Sequence, residues 1–120
     1  MSDEQSSIGR IEVAPGVLTM IAHLTALKVA GVNKMASPPA EVSRFFRRDI
    51  NRQDGIVLTM SDGDLTFDVY VYMDPNVNVM ETSRRLQAAI VEAIDKMVGV
   101  PVNAVNIHVE DVVFSTEEAA

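Results

Sequence analysis

The chain of 120 residues, with 48% hydrophobic and 22% charged residues, has the size and composition of one globular domain. Because it contains no cysteine, disulfides, thiolate metal ligands and cysteine nucleophiles are excluded. Its formal net charge of −7 argues against a protein that coats DNA or anionic lipid over its whole surface, although a local basic patch is compatible with this charge.

The ends of the chain are polar and flank a continuous domain. We expect residues 1–7 to form a disordered tail, residues 8–114 a single domain and residues 115–120 a disordered acidic tail. No apolar run approaches the roughly 20 residues that a membrane-spanning helix needs, and the acidic N-terminus does not resemble a signal peptide. We therefore expect a cytoplasmic protein without direct membrane insertion.

The first half of the chain predicts a strand followed by a helix. Alternation at Ile11–Val13 indicates a short edge strand, and Pro15 suits the first turn of the helix, which Gly31 would end. A short strand is predicted over residues 32–36. Apolar residues spaced by three and four positions predict the buried stripe of the helix: Val17, Met20, Ile21, Leu24, Leu27 and Ala30.

The second half predicts a hairpin, a helix and a last strand. Alternating runs over residues 56–60 and 65–73 flank a turn at Ser61-Asp62-Gly63. Asn78 and Glu81 form a capping pair at the start of the helix. Residues 105–109 alternate as a strand, which we expect to run parallel to residues 66–73 because strand–helix–strand connections are right-handed. The helix is expected to bury Val79, Ser83, Leu86, Ile90, Ala93, Ile94 and Met97.

These elements indicate an α+β fold. Each helix has one apolar stripe and each strand one apolar face, which favours a two-layer sandwich. Two helices would pack on one face of a mixed sheet of three to five strands. The first topology to consider is a ferredoxin-like split arrangement.

The chain offers no recognisable catalytic, metal or cofactor site. His23 and His108 are far apart, and we interpret the first as a boundary residue of its helix and the second as a surface residue on a polar strand face. The motifs GxSxG and SxxK are absent, and the glycines are scattered singly, so no nucleophile or phosphate-binding loop is predicted. We expect no catalytic residue, no metal, no cofactor and no enzymatic activity.

The clustered carboxylates do not change this expectation. Asp62-Gly63-Asp64 fits a hairpin turn better than a calcium loop, whose ligands precede the glycine. Asp68 and Glu110 are candidates for an acid pair across neighbouring strands. However, an open sheet face is not the cleft that would be needed to shift a pKa.

An arginine-rich segment is the first candidate binding feature. Interleaved Phe45 and Phe46 could stack on bases, which makes RNA binding the alternative function. Three nearby carboxylates offset most of the positive charge, and adjacent phenylalanines equally suit an anchor to the core. The segment is compatible with a short helix or an ordered loop, and a nucleic-acid partner is not favoured. The candidate basic patch comprises Arg44, Arg47, Arg48 and Arg52.

The sheet face opposite the helices is the second candidate. In a two-layer fold this face is exposed, and tyrosines there are typical of protein interfaces, although cross-strand tyrosines can equally stabilise the sheet. As an interface, it should retain the fold and lose association when Tyr70 and Tyr72 are changed to Ser. The candidate interaction face comprises Thr66, Tyr70, Tyr72, Asn106 and His108.

Several segments resemble the alkaline shock protein family, which is also described as the Gls-type envelope stress response family. The resemblance covers residues 9–113 and includes Gly9-Arg10-Ile11-Glu12-Val13-Ala14-Pro15, Gly55-Ile56-Val57-Leu58, Phe67-Asp68-Val69-Tyr70-Val71 and Val105-Asn106-Ile107-His108-Val109. It implies a small bacterial cytosolic protein that is not an enzyme and has a role in cell-envelope homeostasis. It also implies a homo-oligomer with protein partners, one of them membrane-anchored, so that the protein lies at the periphery of the membrane. The family has no established catalytic residues to assign.

Overall fold

The computed structural model describes residues 8–38 and 50–114, with the backbone alone for residues 50–53. Both expected tails, as well as Arg44, Arg47 and Arg48, lie outside the described residues. The described elements are helix α1 (Pro15–Lys28), strands β1 (Val32–Met35), β2 (Ile50–Gln53), β3 (Ile56–Ser61) and β4 (Asp64–Met73), helix α2 (Val79–Met97) and strand β5 (Ala104–Val112).

Strand β4 is the centre of a five-stranded mixed sheet. It pairs antiparallel with β1 and β3 and parallel with β5, and β2 pairs with β3. The Tyr70 N–H donates to the Gly55 carbonyl, and the Tyr70 carbonyl accepts from the Ala36 N–H, both at 2.8 Å. Since the N–H and C=O of one residue in an antiparallel strand point to the same edge, β1 and β3 lie end to end along that edge of β4.

The fold class is confirmed as α+β with two helices on one mixed sheet. The predicted parallel pairing of the last strand is also confirmed, because β4 and β5 are in register from Thr66 and Ala104 to Met73 and Val112. A ferredoxin-like split arrangement would place another strand between β4 and β5, whereas here they pair directly.

The hairpin between β3 and β4 follows from its turn chemistry. Ser61 pairs with Asp64, and the two residues between them have positive φ angles, 53° at Asp62 and 84° at Gly63. Two consecutive left-handed residues form the turn whose twist matches that of the flanking strands. The prediction of a tight turn at this position is confirmed.

Helix α2 begins as predicted and buries a narrower stripe than predicted. The Asn78 Oδ1 accepts a hydrogen bond of 2.9 Å from the Glu81 N–H, which confirms the cap. Met97 is 70% exposed, because it lies at the last residue of the helix, beyond the sheet-covered turns. The fully buried positions are Thr82, Leu86, Ile90 and Ile94.

Both helices pack on the same face of the sheet and enclose the main core. This core contains every second residue of β4, namely Leu65, Phe67, Val69, Val71 and Met73. Ile56 and Leu58 of β3 and Val105 of β5 lie in the same layer. The alternation of β4 therefore places its other side chains on the face that carries no described helix.

Two predictions in the first half of the chain are wrong. Ile11–Val13 forms no strand, and Ile11 is almost fully exposed, so this segment buries nothing before the helix. In α1, the buried residues are Leu18, Thr19, Ile21, Ala22 and Ala26, and of the predicted stripe only Ile21 is buried. The helix is apolar on both sides, and the alanines let it approach its neighbours closely, so the bulkier residues point outward. It also ends at Lys28 rather than Gly31.

Candidate functional site

The face of the sheet opposite the helices carries all five residues of the predicted interaction face. In the parallel register, Asp68 lies beside Asn106 and Tyr70 beside His108, and paired residues on neighbouring strands share a face. A register shift after Val71 leaves Tyr72 opposite Asp111. The structure thus brings together Thr66, Tyr70, Tyr72, Asn106 and His108.

Asp68 connects the polar side chains of this face. Its Oδ1 accepts hydrogen bonds from the His108 Nε2–H at 2.9 Å and from the Asn106 Nδ2–H at 3.2 Å. The predicted acid pair of Asp68 with Glu110 does not form, because the register places Asn106 opposite Asp68 and Glu110 lies at the irregularity in β5. Held by a carboxylate, the His108 ring has a defined orientation on the sheet.

Tyr70 is a buried part of the structure rather than an exposed contact residue. Its ring stacks on the His108 imidazole, with centroids 4.3 Å apart and planes inclined by 10°. It is only 4% exposed and forms a second apolar cluster with Val57 and Ala36. The expectation that Tyr70 is exposed is wrong, because β1 and β3 share one edge of β4 and bring both apolar residues beside the ring.

The environment of Tyr70 also changes its ionisation. Burial raises the pKa of the Tyr70 hydroxyl above its ordinary value of 10.0, and the negative charges of Asp68 and Glu110 raise it further. Ionisation would place a third negative charge near two carboxylates in a desolvated site. The hydroxyl therefore stays protonated at neutral pH.

The accessible part of the face is polar and contains one aromatic ring. Tyr72 is partly exposed, and the Lys34 ammonium lies 5.2 Å from its ring centroid, within cation–π range. Asn106 is exposed, whereas Thr66 and His108 are partly exposed. We call these accessible residues, together with Asp68 and Lys34, the open face.

Comparison with known proteins identifies the family. A family model described as the ASP23 family (alkaline shock protein 23), of cell envelope-related function, matches residues 3–114. The chain belongs to this alkaline shock protein family. The resemblance predicted from the sequence is thereby confirmed, and the function of the protein is cell envelope-related.

Curated relatives of this family member match over most of their length. The chain is 29% identical over 119 residues to the uncharacterized protein YqhY of Bacillus subtilis (strain 168), covering 98% of the chain and 87% of the relative. It is 36% identical over 107 residues to the uncharacterized protein Spy1535 of Streptococcus pyogenes serotype M6, covering 88% and 81%. No solved structure matches the chain significantly.

Enzymatic and metal chemistry find no place among the described residues of this family member. Within residues 8–38 and 50–114, no three His, Asp or Glu side chains are grouped so that they could hold a metal ion. In the same part of the chain, no helix has the length and apolar character needed to cross a bilayer. The alkaline shock protein family is not a known enzyme family.

The two remaining predicted features are His23 and the basic patch. His23 is a partly exposed boundary residue whose Nδ1 lies 3.1 Å from the Asp54 carbonyl oxygen, as predicted. Residues 50–53 form strand β2 instead of a helix or loop, with Arg52 paired in register with Val57. The other three arginines lie outside the described residues, so the described residues give the RNA-binding alternative no support.

The sequence contained signals for two features that its analysis missed. Asp54-Gly55, between Gln53 and Ile56, is a two-residue hairpin loop, and an Asp-Gly pair is a strong hairpin signal. The position of Lys34 over Tyr72 carried no such signal, because it depends on the long-range pairing of β1 with β4.

Proposed function

We propose that this family member is a non-enzymatic interaction protein that self-associates and acts through protein partners in cell-envelope homeostasis. It works in the cytoplasm and reaches the periphery of the membrane through a membrane-anchored partner. The observation that carries this proposal is the open face, a sheet surface on which no described helix packs and whose polar groups are already oriented.

The open face has the composition of a docking surface. Tyr72 offers a partly exposed ring with only two rotatable side-chain bonds, and such rings are frequent energetic anchors at protein interfaces. The hydrogen bonds between Asp68, Asn106 and His108 hold these side chains in place before a partner arrives. Ordered groups lose little conformational entropy on binding, which favours association.

The charge of this region favours a partner with a basic contact segment. Glu110 and Asp111 are exposed at the β5 irregularity beside the open face, and Asp68 lies within it. The whole chain has a formal net charge of −7. Complementary charge accelerates encounter and suppresses incorrect partners, so we expect partner binding to weaken as salt rises.

Affinity capture from the native lysate, separated into soluble and membrane fractions, tests the proposal. The baits are the wild type, Tyr72→Ser and a control, Val91→Ser, which removes a similarly exposed apolar residue from α2. We expect Tyr72→Ser to reduce recovery of a specific partner about tenfold or more, since an aromatic anchor contributes about 1.4 kcal/mol or more. The control should recover the partner normally. Identical protein sets for all three baits would contradict docking through the open face.

A further inference from the structure

Helix α1 exposes a row of large apolar residues on the side that faces away from the sheet. Val17, Met20, Leu24 and Leu27 are each 41–50% exposed. On the opposite side of the same helix, Leu18, Ala22 and Ala26 are buried in the core. We call the four exposed residues the outer seam of α1.

A helix that is apolar on both sides is expected to be covered on both sides. The 14 residues of α1 include no acidic residue, and Lys28 and His23 are their only ionisable side chains, although the chain has 17 acidic residues. Scattered apolar residues are normal on protein surfaces, but a contiguous apolar row marks an interaction site.

The spacing of the outer seam identifies what can cover it. Intervals of three, four and three residues between positions 17, 20, 24 and 27 are those of the two apolar positions of a coiled-coil heptad, which pack against another helix. The same intervals read identically in both directions. A second copy of α1 running antiparallel would therefore place Val17 opposite Leu27 and Met20 opposite Leu24, about a two-fold axis near Ala22.

We propose that the outer seam is the self-association interface of this protein, with α1 packed antiparallel against α1 of a second copy. This is an isologous contact, in which the same surface serves both partners and the assembly closes as a dimer. The seam contains no carboxylate, so pairing of two acidic chains brings no like charges into contact there. It deepens the self-association in the proposed function and uses the opposite side of the molecule from the open face, so both surfaces can be occupied together.

The size of the seam predicts a reversible dimer. Four half-exposed aliphatic side chains contribute roughly 300 Å² per copy at about 75 Å² each. Val13, immediately before the helix, is exposed to a similar degree. Two copies with their rims would bury roughly 1,000 Å², the lower limit for a specific interface, so we expect a dissociation constant in the micromolar range.

Sedimentation equilibrium with a pair of complementary variants tests this interface. Met20→Glu and Leu24→Lys each place a charge opposite an apolar residue of the second copy, and we expect each to raise the dimer dissociation constant more than tenfold. Mixing the two variants should restore dimers, because one Glu then faces one Lys and the remaining Leu faces the remaining Met. A parallel pairing would not place positions 20 and 24 opposite each other.

Control measurements separate the proposal from its alternatives. Val91→Glu adds the same charge at a similarly exposed position of α2 and should leave the dimer unchanged. Urea unfolding should show that both seam variants remain folded, since the substituted residues are exposed. A monomeric wild type at all concentrations overturns the proposal, as does its binding of phosphatidylglycerol vesicles without dimerisation. Failure of the mixed variants to dimerise also overturns it. None of these results affects the Tyr72→Ser capture experiment.

Discussion

Replacing Tyr70 by Ser should destabilise the protein far more than replacing Tyr72 by Ser, although both lie on the same face of the same strand. The Tyr70 ring is 4% exposed and packs against Val57, Ala36 and the His108 imidazole. Truncation of a buried aromatic ring costs about 3–5 kcal/mol through lost burial and the remaining cavity. About 0.5–1.5 kcal/mol of this loss reflects the stacked ring pair. Tyr72 is partly exposed, so we expect its truncation to cost about 1 kcal/mol.

Urea unfolding followed by far-UV circular dichroism measures this difference. The free energy of unfolding is obtained from the midpoint with a common slope, because both variants should expose similar surface on unfolding. Tyr70→Phe is the matched control, since it keeps the ring and the stack and should lose less than about 1.5 kcal/mol. Equal losses for Tyr70→Ser and Tyr72→Ser would refute the assignment of Tyr70 to the second apolar cluster.

Three further results follow from the backbone and from the ionisation of Tyr70. Because the folded-state pKa of Tyr70 is raised, its full contribution to stability is present below pH 10.0 and is lost as pH rises above it, since the unfolded chain ionises first; alkaline unfolding of Tyr70→Phe should therefore show a shallower loss than that of the wild type. Gly55→Ala should destabilise more than Gly63→Ala in chemical denaturation: both have positive φ angles, but only at Gly55 would the added carbon meet Met35, at 2.7 Å, whereas nothing lies within 4 Å at Gly63. Equal losses would show that backbone strain alone matters. Asn78→Ala should lower the unfolding free energy by about 1 kcal/mol through loss of its cap, and no change in the thermal midpoint would contradict that role.

The elements that sequence analysis predicted well depend on interactions between residues close along the chain. The alternation over residues 65–73 follows from the two-residue period of a strand, and the turn at Asp62-Gly63 from residues that tolerate positive φ angles. The Asn78 cap is likewise a contact over three residues. The family resemblance, spread over many such positions, was also readable from the sequence and is confirmed.

The features that matter for binding were decided by contacts between distant parts of the chain. Helix α1 has apolar residues on both sides, and its spacing favoured the side that the fold leaves exposed, because only packing against the sheet and α2 selects between two apolar faces. The burial of Tyr70 likewise depends on β1 and β3 meeting end to end beside β4. The sequence by itself determined the local elements and the family, whereas the tertiary structure alone determined which surfaces remain free, since exposure depends on neighbours that are remote in the chain.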